Sequence, residues 1–149
     1  MRKTGLLLIS LLAVTFLFAC GGKKDIKIQS QESKTAEEAF ALSEVIRDAF
    51  LNNDRDTIRK NTTEDGYKSV TANRKAYESI ALSFTPRWVD IEQTKVMLNM
   101  TWKSTWTAAG KKTEDRGMAI FVMEGKPLKL SGILRTNPFI FPEQQQPRF

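Results

Sequence analysis

The chain has 149 residues, a formal net charge of +6, 41% apolar residues and 27% charged residues. These values are typical of a single globular domain. The chain contains no histidine and a single cysteine. That composition excludes Ser-His-Asp hydrolases, Cys-His nucleophiles, histidine metal sites, cysteine clusters and a disulfide within the chain. We therefore expect neither a metal nor a cofactor.

The first nineteen residues have the pattern of an export signal. Arg2 and Lys3 make a short positive start, and a mostly apolar run follows from Gly5 to Ala19. At about 1.5 Å per residue this run spans roughly 22 Å, shorter than the ~30 Å hydrocarbon core of a bilayer. Such a length is typical of a signal peptide rather than of a permanent membrane span. We predict a signal peptide over residues 1–19.

The signal ends in Leu17-Phe18-Ala19-Cys20-Gly21, which resembles the bacterial lipobox. That resemblance implies that the Cys20 thiol receives diacylglycerol and that the chain is cut just before it. Several acyl chains anchor a protein stably, so the membrane is an expected partner. Gly21 after the cysteine favours the periplasmic side of the outer membrane in a Gram-negative cell. The alternative is an ordinary signal peptide in which Cys20 is coincidental.

The charge of the exported part is modest and spread along the chain. Removing Arg2 and Lys3 with the signal lowers the net charge from +6 to +4. The densest basic group, Lys23, Lys24 and Lys27, lies next to Cys20, where it faces anionic lipid head groups. Nucleic-acid binding needs a basic stripe with aromatic platforms on the folded part. We therefore predict no nucleic-acid partner.

Helical patterns occupy the first half of the exported chain. Residues 20–34 are polar and are predicted to form the lipidated cysteine and a flexible tether. A T-x-x-E capping box at Thr35 then opens an apolar stripe that predicts a helix to Leu51. Asp54 caps a short second helix to about Asn61, and residues 62–66 form a turn. A third helix is predicted over 71–84 and is stopped by Pro86.

The second half changes to the period of β-strands. Residues 95–107 alternate, and the even positions form one apolar face. A turn at Gly110 leads to a strand over 112–124, which is apolar on both faces near its end, and a last strand covers 128–134. An earlier strand over 87–93 buries Val89 and Ile91. The tail, residues 142–149, has little to bury and is predicted to be loose.

Helices followed by an antiparallel meander predict an α+β fold, with the helices on one face of a curved sheet. This order resembles the nuclear-transport-factor-like superfamily, the cone-shaped, cystatin-like fold of ketosteroid isomerases and SnoaL-type polyketide cyclases. More narrowly, it is similar to small bacterial lipoproteins with that domain, here over residues 35–141. No residue matches a catalytic signature of the enzyme branches. The resemblance rests on residues 39–51, Asp65-Gly66-Tyr67, Trp102-x-x-x-Trp106, the hairpin 117–134 and Asn137-Pro138-Phe139.

A small apolar ligand is the first expected partner. Trp102 and Trp106 lie on the apolar face of their strand, about 13 Å apart at ~3.3 Å per residue. They are candidates for an aromatic lining of the cone, and the alternative is ordinary core packing. The other candidate lining residues are the adaptable Met100 and Met118 and the hydroxyl-bearing Tyr67 and Tyr77.

The sheet supports two further hypotheses, a dimer interface and a degenerate active site. Its outer face pairs two copies in relatives of this fold, which would cover Met97 and one side of Phe121. Asp90 and Glu92 share a strand face with Trp88, so a degenerate isomerase-like or cyclase-like enzyme using either carboxylate is an alternative, although a solvated pair is the simpler interpretation.

We therefore predict a non-catalytic, lipid-anchored envelope protein. It would bind an apolar ligand or an envelope protein, as a homodimer or with another chain. A purely structural adaptor, whose pocket is filled by its own side chains, is the remaining alternative.

Overall fold

The structure, a computed structural model, describes residues 30–144. The predicted signal peptide, Cys20 with the first part of the tether, and residues 145–149 lie outside the described residues. Three helices precede four strands and a short 3-10 turn. Their bounds are α1 Gln31–Leu51, α2 Arg55–Lys60, α3 Glu64–Val70, β1 Ser79–Glu92, β2 Lys95–Ala108, β3 Lys111–Glu124, β4 Lys129–Arg135 and Pro142–Gln144.

The four strands form one antiparallel sheet in the order β1-β2-β3-β4, as the meander prediction requires. The alternation predicted for β2 is confirmed, because its even residues from Val96 to Trp106 are all buried. They face the helices, and we call this side of the sheet the inner face. The odd residues of β2 lie on the outer face, which no helix within residues 30–144 covers. The α+β expectation is therefore confirmed.

Helix α1 begins four residues before the predicted start. Ser30 is the N-cap, and its hydroxyl accepts a hydrogen bond from the Ser33 amide at 3.1 Å. Thr35 lies inside the helix, and its hydroxyl donates to the Gln31 carbonyl at 3.0 Å. Ser30 is as good an N-cap as Thr35, and Gln31 and Glu32 have high helix propensity. The helix therefore begins after Ser30 rather than after Thr35. Residues 31–34, expected in the tether, are thus helical.

The predicted helix over 71–84 is wrong. Residues 71–78 form a loop, and β1 begins at Ser79. Ile80, Leu82 and Phe84 alternate along β1 and pair with Trp106, Ser104 and Trp102 on the inner face. Apolar spacing over so short a stretch suits a helix or a strand, and pairing with β2 decides between them.

Pro86 lies within β1 instead of ending an element. The register shifts between Pro86 and Trp88, which is the mark of a β-bulge. Because β1 is an edge strand of the four-stranded sheet, a proline without an amide hydrogen is tolerated there.

Helix α3 replaces the turn predicted over 62–66. Thr63 is its N-cap and accepts a hydrogen bond from the Gly66 amide at 3.3 Å. The segment before α3 is bonded to the edge strand β4, with Thr63 donating to the Leu130 carbonyl at 2.9 Å and Leu130 donating to the Asn61 carbonyl at 3.0 Å. Val70 returns to the core as predicted, and Tyr67 is half-buried.

The start of the predicted loose tail is held against the 71–78 loop. The Gln144 side-chain oxygen accepts hydrogen bonds from the amides of Arg74 and Lys75, both at 3.2 Å. The Lys75 ammonium also forms an ion pair with Glu143. These contacts order residues 142–144, which the low apolar content of the tail did not indicate.

Candidate functional site

The space between the sheet and the helices is filled by the chain's own aromatic rings. Phe139 lies at its centre, with ring centroids 4.9 Å from Phe50, 6.1 Å from Phe84 and 6.0 Å from Phe121. The ring centroid of Trp106 lies 4.9 Å from that of Tyr77. The cone is therefore closed by packing, and the rings that close it are Phe50, Tyr77, Phe84, Trp106, Phe121, Phe139 and Phe141.

Three of the predicted lining residues are part of this packed core. Trp106 and Met100 are fully buried, and Trp102 is 2% exposed. The Trp106 indole donates a hydrogen bond to the Ser104 hydroxyl at 3.0 Å, whereas the buried Trp102 indole nitrogen has no partner within residues 30–144. The positions match the core-packing alternative considered for the two tryptophans.

The structure does not bring the other predicted lining residues together. Met118 pairs with Thr101 and so lies on the outer face, across the sheet from Met100. Tyr67 lies on α3, with the Arg59 guanidinium 4.3 Å above its ring. Of these three residues, Met118 borders a shallow cavity on the sheet and Tyr77 borders a different cavity near the end of α1.

The cavity bordered by Tyr77, which we call the mouth cleft, has a volume of about 580 Å³. It lies between the C-terminal end of α1 and the 71–78 loop that precedes β1. Phe50, Ile58 and Tyr77 supply its apolar surface. Burial raises the pKa of the Tyr77 hydroxyl above its ordinary value. The remaining residues bordering the cleft are Leu51, Asn53, Arg55, Thr71, Asn73, Arg74, Lys75, Ala76 and Glu78.

The charged residues of the mouth cleft are mainly cationic. Arg55 and Arg74 are exposed, and neither forms an ion pair within residues 30–144. Lys75 forms an ion pair with Glu143. The Lys75 ammonium, which donates a hydrogen bond to the Glu143 carboxyl, holds the pKa of that carboxyl below its usual range. Glu78 accepts a hydrogen bond from the Gly110 amide at 3.1 Å.

Sequence reasoning missed the mouth cleft because it assigned the 71–78 loop to a helix. The loop is shaped by the Asn73 side chain, whose oxygen accepts from the Lys75 and Phe141 amides at 3.4 and 3.3 Å. Phe141 is far away in sequence, so this contact leaves no local pattern. Asn73, which precedes two basic residues, was the local indication of a loop here, since Asn favours turns.

The outer face of the sheet carries an apolar patch, which we call the outer stripe. Trp88, Asn99, Ile120 and Leu134 form one row across all four strands. Trp88 is 49% exposed and Leu134 is 51% exposed, although both are large and apolar. A patch of this kind is typical of an interaction surface. The outer stripe comprises Trp88, Met97, Met118, Ile120, Val122 and Leu134.

The expectations about the sheet faces have different outcomes. Phe121 is fully buried on the inner face, so the prediction that one of its sides lies at the outer surface is wrong; Ile120 and Val122 are the outer residues of β3. Asp90 and Glu92 are exposed on the outer face with Trp88, outside the cone. There Asp90 accepts a hydrogen bond from Asn99 at 3.5 Å. On the opposite face of this strand end, Val89 is half-buried as expected, but Ile91, predicted to be buried, is 40% exposed.

Residues 30–144 contain no helix that is long and apolar enough to cross a membrane. The same residues bring together no group of three or more acidic, cysteine or histidine side chains that would hold a metal ion.

No protein-family model matches the chain, and no curated protein sequence matches it significantly. The fold is similar to that of a solved "Nuclear transport factor 2 (NTF2-like) superfamily protein from Salmonella enterica subsp. enterica serovar Typhimurium str. LT2". The TM-score is 0.58 at 12% sequence identity, over 72% of this chain and 93% of the other. The chain therefore has the α+β fold of the NTF2-like superfamily, with N-terminal helices packed on a four-stranded antiparallel sheet.

Proposed function

We propose that this chain is a non-catalytic, lipid-anchored protein of the cell envelope that binds a protein partner through the outer stripe. The supporting observation is the exposure of Trp88 and Leu134 at the two edges of the outer stripe, in a row whose one polar member, Asn99, is buried. Burying such residues against a partner is favourable by about 25 cal/mol for each Å² of apolar surface removed from water.

Two further features favour this function over a ligand held inside the cone. The cone is filled by aromatic side chains, which leaves its interior to structural packing. β3 is also apolar on both faces from Met118 to Met123, although only its inner face packs against helices. A strand that is buried on both faces is expected to be apolar on both faces. The apolar pattern of β3 therefore supports a protein partner packed on the outer stripe.

The anchor is the second part of the proposal. It rests on the lipobox-like sequence around Cys20 and on the basic residues that follow it. A tether between Cys20 and α1 holds the domain near the membrane surface, where its partner is another envelope protein or a second copy. The outer membrane is the proposed location in a Gram-negative cell.

Native mass spectrometry of the full chain, extracted from its host membrane, tests the binding surface. Wild type is expected to carry a partner of defined mass. Trp88→Glu and Leu134→Glu place a charge in the outer stripe and are expected to release that partner. Val45→Glu is the matched control, because Val45 is 44% exposed on α1, on the other side of the molecule.

The mass of the complex separates the two kinds of partner. Twice the mass of the chain indicates a homodimer, and any other defined mass indicates a different envelope protein. A wild-type chain that is always alone contradicts the proposal. So does a complex that survives both stripe variants or is lost in Val45→Glu.

A further inference from the structure

We infer that the mouth cleft binds a small amphipathic anion, with a carboxylate, sulfonate or phosphate group attached to an apolar ring or chain. This inference concerns a different surface from the outer stripe and does not depend on the proposed protein partner. It follows from two arginines without an ion-pair partner within residues 30–144 that border the same cavity as two aromatic rings.

The cationic side of the mouth cleft comes from two different segments. Arg55 is the first residue of α2, and Arg74 lies in the 71–78 loop. Both border the same cavity of about 580 Å³, and neither has an acidic partner within residues 30–144. A guanidinium binds oxyanions through parallel hydrogen bonds, so the pair is suited to a carboxylate or a related group.

Glu78 is the acidic residue that borders the cleft, and it forms no ion pair with either arginine. Glu143 is paired with Lys75, which leaves one anion and one cation balanced at the edge of the loop. Glu78 faces the β2–β3 turn, where its carboxylate accepts a hydrogen bond from Gly110. The charged residues that border the cleft are therefore three cations, Arg55, Arg74 and Lys75, and one carboxylate, Glu78, which favours an anionic ligand.

The apolar side of the cleft favours a ligand that carries an apolar ring or chain in addition to its anionic group. Phe50 and Tyr77 stack with ring centroids 6.5 Å apart and an interplanar angle of 28°, and Ile58 borders the same space. Tyr77 rests on Trp106, which holds its ring in place at the cleft wall. A ligand ring or chain laid on this surface leaves water while its charged group stays at the arginines. The volume is within the range of small-molecule sites.

The chain offers a site-specific reporter of such binding, because it has only two tyrosines. Incorporation of 3-fluorotyrosine gives one fluorine resonance for Tyr77 in the cleft and one for Tyr67 outside it, and Tyr67→Phe assigns them. The full lipidated chain is held in nanodiscs of phosphatidylcholine, and empty nanodiscs provide the blank. Naphthalene-2-sulfonate is the anionic probe, and naphthalene-2-sulfonamide is its uncharged counterpart of nearly the same shape.

The expected result is a saturable shift of the Tyr77 resonance with the sulfonate, while the Tyr67 resonance stays in place. The sulfonamide is expected to bind at least about tenfold more weakly, which corresponds to one charge-assisted hydrogen bond or more. In the double variant Arg55→Ala, Arg74→Ala the affinity for the sulfonate is expected to fall by about tenfold or more, to that of the sulfonamide.

Arg59→Ala is the matched control, because Arg59 lies on α2 above Tyr67 and does not border the cleft. It is expected to leave the affinity for the sulfonate unchanged. Equal binding of the two probes, or unchanged binding to the double variant, overturns the assignment of an anion. If neither probe moves the Tyr77 resonance, the mouth cleft is not a ligand site. An unchanged Tyr67 resonance shows that the double variant remains folded. In Arg59→Ala, which loses the guanidinium above the Tyr67 ring, an unchanged Tyr77 resonance without probe shows the same.

Discussion

Gly66 sets how closely α3 approaches the edge of the sheet. A Cβ atom built at this position overlaps the Leu130 carbonyl oxygen, which also accepts a hydrogen bond from Thr63. We expect Gly66→Ala to lower the free energy of unfolding by about 1–3 kcal/mol, because either the helix or β4 must shift. Denaturant unfolding of the full chain, followed by tryptophan fluorescence, measures this loss.

Gly132 is the matched glycine for this comparison. It lies in β4, two residues after Leu130, and a Cβ atom there meets nothing within 4 Å. Gly132→Ala is expected to change stability by no more than about 0.5 kcal/mol. Equal effects of the two alanine substitutions would refute the close approach of α3 to the sheet.

Tyr77 makes the free energy of unfolding depend on pH in the alkaline range. Because burial raises the pKa of its hydroxyl, the unfolded chain loses this proton first, above the ordinary pKa of about 10. The stability contributed by Tyr77 is thus complete below pH ~10 and is lost as the pH rises through the pKa of the folded state. Wild type is expected to lose more stability above pH ~10 than Tyr77→Phe does. Identical pH profiles of unfolding would contradict this expectation.

Among the elements, the segment after β4 has a structural role that no periodic pattern in the sequence indicates, although its Asn137-Pro138-Phe139 is part of the fold resemblance. It carries Phe139 into the centre of the cone, between Phe50, Phe84 and Phe121. It is also fixed locally, because the Asn137 side chain donates to the Ser69 carbonyl at 2.8 Å and accepts from the Phe139 amide at 3.0 Å. This segment closes the cone from inside.

We expect Phe139→Ala to lower the free energy of unfolding by about 3–5 kcal/mol, since it removes a fully buried ring from a packed site. Denaturant unfolding is the measurement here too. Val45→Ala, at an exposed position of α1, serves as the control and is expected to cost less than about 0.5 kcal/mol. A loss below about 1 kcal/mol for Phe139→Ala would mean that the cone is not closed by this ring.

Elements with a long, strict period were predictable from the sequence. β2 alternates over its whole length, and the confirmed burial of Val96 to Trp106 follows from that period alone. β1 was not predictable over 79–84, because Ile80, Leu82 and Phe84 lie in a stretch too short to separate the two periods. The start of α1 was missed because Ser30 and Thr35 are both good caps.

The candidate sites were less predictable than the elements, for a physical reason. Met97 on the polar face of β2 indicated an outer surface patch, since its exposure follows from strand alternation. The mouth cleft depends on contacts between residues far apart in sequence, such as Asn73 with Phe141 and Arg74 with Gln144. Contacts of that range leave no periodic signal, so Arg55 and Arg74 were not recognised from the sequence.

At the scale of the whole molecule, a domain of the NTF2-like fold is joined to a proposed lipid anchor. Cys20→Ser removes the thiol that would carry the lipid, and it is expected to move the protein from the membrane fraction to the soluble fraction or to leave it uncleaved. Fractionation of host cells, with blotting for the full chain, distinguishes these results. Processing and membrane retention identical to those of wild type would refute the anchor.

We propose that a protein partner covers the outer stripe. The most direct measurement is photo-crosslinking in the host membrane, with a photoreactive phenylalanine derivative at Leu134 in the stripe or at Val45 on α1. Both positions are exposed in the isolated chain, at 51% and 44% respectively. We expect one discrete crosslinked product from Leu134 and none from Val45. No product from Leu134, or the same product from both positions, would contradict the proposal.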